Sequence, residues 1–215
     1  MIFKLILLLH IVFGSTGLLL GTIILSRKKG DRLHKNLGKI FTVAMVGTGL
    51  AAFYLSYVHP NLFLFIVGVF TIYLSVSGYR MLQLKQVHMG QKPKIGDIIL
   101  TALMFTSSLL FFFITYKYAV QKQFFGIVFF LFGVLSFRMC YIDYKGYTNK
   151  VTDKLYGLKN HIGRMTGSYI AAFTAFLVVN NTFLPPILAW SLPGLLGGLF
   201  ISRTIPKNCF CTAYL

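Results

Sequence analysis

The chain has no glutamate and only four aspartates in 215 residues, and charged residues of both signs make up just 12% of it. A soluble domain carries about a quarter charged residues. That scarcity excludes a cytosolic enzyme and a disordered segment alike. Cysteine is also sparse: Cys140, Cys209 and Cys211 make no disulfide framework. The C-x-C at 209–211 lacks a second pair to complete a zinc site, and one residue too many follows Cys211 for a prenylation box. No G-x-x-x-x-G-K-[ST], G-x-G-x-x-G or H-E-x-x-H pattern occurs, which removes phosphate-loop, dinucleotide and zincin chemistry in their usual forms. The apolar segments carry no mid-membrane carboxylate, so a proton-coupled transporter lacks its usual relay.

What is present is apolar. Hydrophobic residues reach 56%, and 22 phenylalanines with 12 tyrosines outnumber the 21 basic and 4 acidic residues. Mean hydropathy is +0.74. About 20 consecutive apolar residues in a helix cross the hydrocarbon of a bilayer. Seven segments qualify, near 2–26, 38–58, 61–79, 97–117, 123–143, 161–180 and 183–202. The expected fold is therefore all-α, a polytopic transmembrane bundle of seven helices forming one domain over 1–203. A short cytoplasmic tail is expected over 204–215. The first segment lacks a small-x-small cleavage site and is closed by Arg27-Lys28-Lys29, so it reads as a retained helix. Pro185-Pro186 and Pro193 are expected to break or kink the seventh.

The net charge of +17 does not lie on a soluble face, which excludes nucleic acid as a partner. Eighteen of the cations fall at 27–39, 80–96, 138–164 and in the tail, and all four aspartates fall on the same side; only Lys4, Lys117 and Lys122 fall on the other. Lysine and arginine mark cytoplasmic loops, so the pattern predicts an N-terminus outside and a C-terminus in the cytoplasm. The basic loops would meet the anionic lipids of the inner leaflet. Membrane-protein partner subunits are a further expectation.

Three of the five histidines head stripes of small residues. His10, Gly14, Gly17 and Gly21 share one helical face. His34, Gly38, Met45, Gly49 and Ala52 form a second stripe, and His161, Met165, Ser168, Ala172 and Ala175 a third. Small residues let helices approach closely in lipid. An imidazole there also needs a partner. His10 lies roughly 9 Å beneath Lys4 at 1.5 Å per residue, and a hydroxyl, a carbonyl, a metal or a haem iron would satisfy it. His34 and His161 each stand at the cytoplasmic start of a helix, at one depth, as bis-imidazole haem ligation demands. They are the candidate axial ligands of a haem b, with His10 at a second haem or hydrogen-bonded within the bundle. Two alternatives remain open. His10, His34 and His161 would hold zinc in a metal-dependent membrane enzyme, or the histidines only cap and pack in an accessory subunit, carrier or scaffold. Arg138 and Arg164, with Asp143, are candidates to bind an anionic group such as a haem propionate or a lipid phosphate; snorkelling to headgroups is the alternative for Arg138. His59 reads as a turn residue before Pro60-Asn61, and His88 as a solvated loop residue. All of this requires helices one, two and six to be neighbours.

The early histidine, the run Leu33-His34-Lys35-Asn36-Leu37-Gly38-Lys39 and the run His161-Ile162-Gly163-Arg164-Met165-Thr166-Gly167-Ser168-Tyr169-Ile170-Ala171 resemble a bacterial family of membrane proteins known as a domain of unknown function. Residues 61–80 and 166–180 are similar to its Bacteroidetes-type branch. The resemblance covers residues 1 to about 200. It implies a bacterial inner-membrane location and maps the family's three histidines onto His10, His34 and His161. A more distant likeness, to haem-binding cytochrome b and ferric-reductase-like bundles, operates at the level of the fold.

Overall fold

In a computed structural model, residues 1–84, 86–148 and 150–205 are described. The expected tail, with Cys209 and Cys211, lies almost wholly outside the described residues. Among those described, the chain forms seven α-helices: α1 Ile2–Ser26, α2 Arg32–Val58, α3 Leu62–Met81, α4 Ile95–Val120, α5 Gly126–Tyr147, α6 Tyr156–Asn180 and α7 Pro186–Thr204. A 3₁₀ turn at Val87–Met89 interrupts the longer connection between α3 and α4. Each helix is long and apolar enough to cross a membrane. The protein is thus an integral, multi-pass membrane protein.

Local chemistry explains where the helices depart from the expected bounds. Helix α2 starts at Arg32, ahead of the expected residue 38, because Asp31 caps it: the Asp31 carboxylate accepts the His34 N–H at 2.6 Å. Gly30 permits the turn just before, at φ 87°, a left-handed conformation that side chains disfavour. Asn61 caps α3 in the same way, accepting from Leu64 N–H at 3.1 Å. Helix α6 starts at Tyr156, not 161, so His161 lies inside it. Pro186 opens α7, where its missing N–H costs nothing, and Pro193 sits within the helix without ending it.

Four helices close into a square. Helix α1 packs on α2 and α6, and α3 packs on the same two. Helices α2 and α6 therefore stand diagonally across, with α1 and α3 between them. The expectation that helices one, two and six are mutual neighbours is corrected to this extent: α1 adjoins both others, and α3 is the fourth wall. Small residues permit the approach. A Cβ on Gly17 would overlap Met45, one on Gly21 would overlap both Tyr169 and Phe41, and one on Gly49 would press on Ile72 and the Gly68 carbonyl.

Helices α4 and α5 pair tightly beside α3, and α7 lies mainly against α6. The main core lies between α3, α4 and α5, where Phe70, Tyr73, Leu74, Met104 and Cys140 are buried with Ala171 of α6. Towards the end of the bundle that carries the α4–α5 turn, Trp190 packs edge-on against Phe63, Phe125 and Phe132.

Candidate functional site

The polar chemistry gathers at the end of the bundle where α1 meets α2, α3 meets α4 and α5 meets α6, the end rich in cations. Every one of the four aspartates is paired there. Asp31 binds Arg27 at 3.1 Å, Asp97 binds Arg80 at 2.8 Å, Asp153 binds Lys159 at 2.7 Å, and Asp143 binds Arg164 at 2.5 Å.

The last of these pairs is inside the protein. Asp143 Oδ1 accepts from Arg164 Nη2, while Oδ2 accepts from the Tyr73 hydroxyl at 2.6 Å, the Thr101 hydroxyl at 3.0 Å and Arg164 Nη1 at 3.3 Å. One carboxylate thus ties together α3, α4, α5 and α6. Tyr147 extends the network, meeting the Thr101 hydroxyl at 3.2 Å, and Tyr156 donates to the Ile142 carbonyl at 2.8 Å. Beside it, Arg80 grips Asp97 with two nitrogens, Nε at 2.8 Å and Nη2 at 3.0 Å. An unpaired charge at this depth would be costly. Here each buried charge has an opposite charge, Asp143 has hydroxyl donors besides, and Asp97 accepts the Lys94 backbone N–H at 2.8 Å.

The local sequence explains the meeting. From Gly133 onward the buried residues of α5 are Gly133, Ser136, Cys140, Asp143 and Gly146, spaced three or four apart as one helical face requires. Arg138 falls off that face and is exposed. The sequence suggests Arg138, Asp143 and Arg164 as one group. The structure joins the last two and leaves the first outward, with no ion pair among the described residues. The signal available was the face of small residues flanking Asp143, which singles it out from Arg138.

The histidines occupy three settings. His10 sits on α1 with Nδ1 3.1 Å from the Thr48 carbonyl of α2. His161 sits on α6 with Nδ1 2.9 Å from the Gly78 carbonyl of α3. A carbonyl only accepts, so Nδ1 carries the proton in both, and each Nε2 keeps its lone pair. His34 lies in the first turn of α2, and its Nδ1 is buried with no hydrogen-bond partner. His34 and His161 stand near the same, cation-rich end of the two diagonal helices. His10 is elsewhere: Thr48 is fourteen residues along α2 from His34, roughly 21 Å at 1.5 Å per residue. The three imidazoles therefore do not form one coordination sphere, and no group of three His, Cys, Asp or Glu converges among the described residues.

The space near His34 and His161 has a floor. Phe41 and Tyr169, about two turns deeper on the same two helices, both close on Gly21. Above that floor, a Cβ on Gly38, one turn from His34, would meet nothing within 4 Å; the same holds at Gly163, which lies on the side of α6 opposite His161. An outward groove of ≈ 380 Å³ lies between α4 and α5, lined by Ile98, Phe105, Phe137 and Tyr141 among others.

His59 packs edge-on against Phe3, which ties the α2–α3 turn to the start of α1. No protein-family model, curated protein or solved structure matches the chain.

Proposed function

We propose that the protein is a haem-binding redox protein of the bacterial inner membrane, with its C-terminal end in the cytoplasm and His34 and His161 as the two axial ligands of a haem b. The observation that carries this reading is the placement of the two imidazoles near the same end of diagonal helices in a four-helix square, one of them with its tautomer set. His161 donates Nδ1–H to the Gly78 carbonyl, which leaves Nε2 as the ligating nitrogen and makes it more basic. His34 stands on the helix diagonally opposite, near the same end of the bundle. The residues present leave room for a flat macrocycle: Gly38, one turn from His34 on its face, would meet nothing within 4 Å, and Phe41 with Tyr169 form an apolar floor that would keep water from one side.

The iron, when bound, would supply one-electron chemistry between low-spin states. The chain's own part is to hold the two imidazoles and exclude solvent. His10 belongs to a separate setting in this reading, as a hydrogen-bonded link between α1 and α2. Arg164 is not a propionate partner in it, because Asp143 already takes its charge. The cytoplasmic placement of the cation-rich end follows from the eighteen-to-three segregation of Lys and Arg.

A second reading has its own support. His10 and His161 each tie two helices together through a backbone carbonyl, which a non-enzymatic accessory subunit or carrier would also use for rigidity. The visible spectrum of detergent-purified protein from haem-replete cells, oxidised and dithionite-reduced, separates the two. The haem reading expects a Soret band that His34→Ala and His161→Ala each abolish and His10→Ala retains. A colourless wild-type protein overturns it and leaves the structural reading.

A further inference from the structure

The groove between α4 and α5 opens outward, because Ile98, Phe105, Phe137, Tyr141 and Tyr144 on its walls are all exposed. Ile98 and Phe105 stand seven residues apart on α4, so the groove runs about 10 Å along the hairpin at 1.5 Å per residue. The polar side chains at its back are turned away from it. The Thr101 hydroxyl donates to Asp143 at 3.0 Å, the Tyr147 hydroxyl meets Thr101 at 3.2 Å, and the Cys140 thiol reaches the Thr101 carbonyl at 3.6 Å. What remains is an apolar slot that suits hydrocarbon. A ligand group that needs hydrogen bonds would lose them there.

The end of the slot nearer the cation-rich rim is basic. Lys145 Nζ lies 4.7 Å from the centre of the Tyr141 ring and Lys150 Nζ 5.4 Å from that of Tyr144, so two ammonium groups rest on the groove's own walls. Arg138, Tyr141 and Lys145 recur at three and four residues and share one flank of α5. Arg138 is exposed and has no ion pair among the described residues. It stands nine residues before the end of α5 at Tyr147, roughly 14 Å along the axis. A guanidinium at that depth in lipid needs an anion or the headgroup layer. Asp143, the one acid of α5, is already committed to Arg164.

We propose that this groove holds one acidic phospholipid from the leaflet at the cation-rich end. An acyl chain lies along the apolar slot, and the phosphate sits among Arg138, Lys145 and Lys150. Charge complementarity chooses an acidic headgroup over a zwitterionic one, and the depth of Arg138 draws the phosphate towards the slot. The site is built on other helices than His34 and His161, so it stands whether or not those residues bind a haem.

Native mass spectrometry of the full-length protein in detergent, with phosphatidylglycerol and phosphatidylcholine of matched chains added together, reads the preference. Wild type retains one phosphatidylglycerol ahead of phosphatidylcholine. Arg138→Gln combined with Lys145→Gln weakens phosphatidylglycerol retention roughly tenfold and leaves phosphatidylcholine unchanged, which also shows that the fold is intact. Ala102→Phe, which puts a ring into the slot from an exposed position, weakens the retention of both lipids. Lys28→Gln combined with Lys35→Gln removes two exposed cations from the α1–α2 end and leaves both lipids as in wild type. Equal losses in the two double variants overturn the proposal in favour of diffuse charge. Unchanged phosphatidylglycerol retention in Ala102→Phe overturns it too, since the lipid would then sit elsewhere. Displacement of phosphatidylglycerol from wild type by an equimolar neutral alkyl quinone does the same in favour of an uncharged ligand.

Discussion

Arg164 and Asp143 meet at 2.5 Å with 3% and 0% of their side chains exposed, so a full ion pair is enclosed by membrane-crossing helices. The pair joins α6 to α5, and the Tyr73 and Thr101 hydroxyls carry the same carboxylate to α3 and α4. With Arg80–Asp97 between α3 and α4, it fastens the α1–α2–α3–α6 square to the α4–α5 hairpin.

Breaking that pair from one side strands a charge. Arg164→Met or Asp143→Asn alone is expected to destabilise the protein by about 3–5 kcal/mol. The double variant Arg164→Met with Asp143→Leu should recover most of the loss, because no charge remains to be buried. Denaturant-induced unfolding of the purified protein in detergent measures all three, and a double variant as unstable as the sum of the singles would refute the account.

Two glycines on α6 offer a contrast in packing. A Cβ at Gly157 would stand 2.8 Å from the Met81 carbonyl oxygen and 3.2 Å from that of Leu84, neither of which is a flexible side-chain end. Gly157→Ala is expected to cost about 1–3 kcal/mol through forced backbone shifts. At Gly163 the same methyl meets nothing within 4 Å, so Gly163→Ala should match or slightly exceed wild type, as alanine favours a helix. Thermal midpoints of the two variants compared side by side decide the matter; equal losses would contradict it.

Acid acts on the α1–α2 turn. The Asp31 carboxyl is held below the usual carboxylate range, first by the His34 backbone N–H and then by Arg27, against an opposing effect of desolvation. A folded-state value below the unfolded one means that the carboxylate stabilises the fold above the unfolded value near 3.9 and ceases to do so as pH falls through the folded value. Asp153 has the same sign. Desolvation raises it, but Lys159 and the Leu155 N–H together outweigh that. Stability followed from pH 6 down to 3 should therefore fall less steeply in Asp31→Asn than in wild type. A wild-type profile that is flat in this range would refute the sign.

Orientation can be read chemically. Lys122, in the α4–α5 turn at φ 53°, and Lys92, between the 3₁₀ turn and α4, lie at opposite ends of the bundle. With the native cysteines replaced, Lys122→Cys should react with an impermeant maleimide in cells whose inner membrane is intact. Lys92→Cys should react only after that membrane is opened. The reverse result would invert the proposed topology.

Asp143 shows how far sequence reading reaches at the site. Its type, its place near a helix end and its position on a face of small residues were all legible, as was the presence of Arg164 on the next helix. That the two meet, that Tyr73 and Thr101 complete the shell, and that Arg138 is excluded, depend on how each helix is rotated. The histidines divide in the same way. The need of His10 for a partner followed from burial in lipid, but the Thr48 carbonyl as that partner did not.

The amino-acid sequence alone determined the seven spans, because transfer to hydrocarbon is a sum over residues within each segment and needs no knowledge of neighbours. Helix starts were less certain, since a single capping carboxylate such as Asp31 moves one by six residues from the expected 38 to Arg32. The tertiary structure decided which helices adjoin. It made α3 the fourth wall of the square, set α2 and α6 on its diagonal, and brought Asp143 to Arg164. Lipid tails solvate every apolar helix face about equally, so hydrophobicity does not choose between faces. Close packing at glycines and a few polar contacts make that choice, and these act only between helices already side by side.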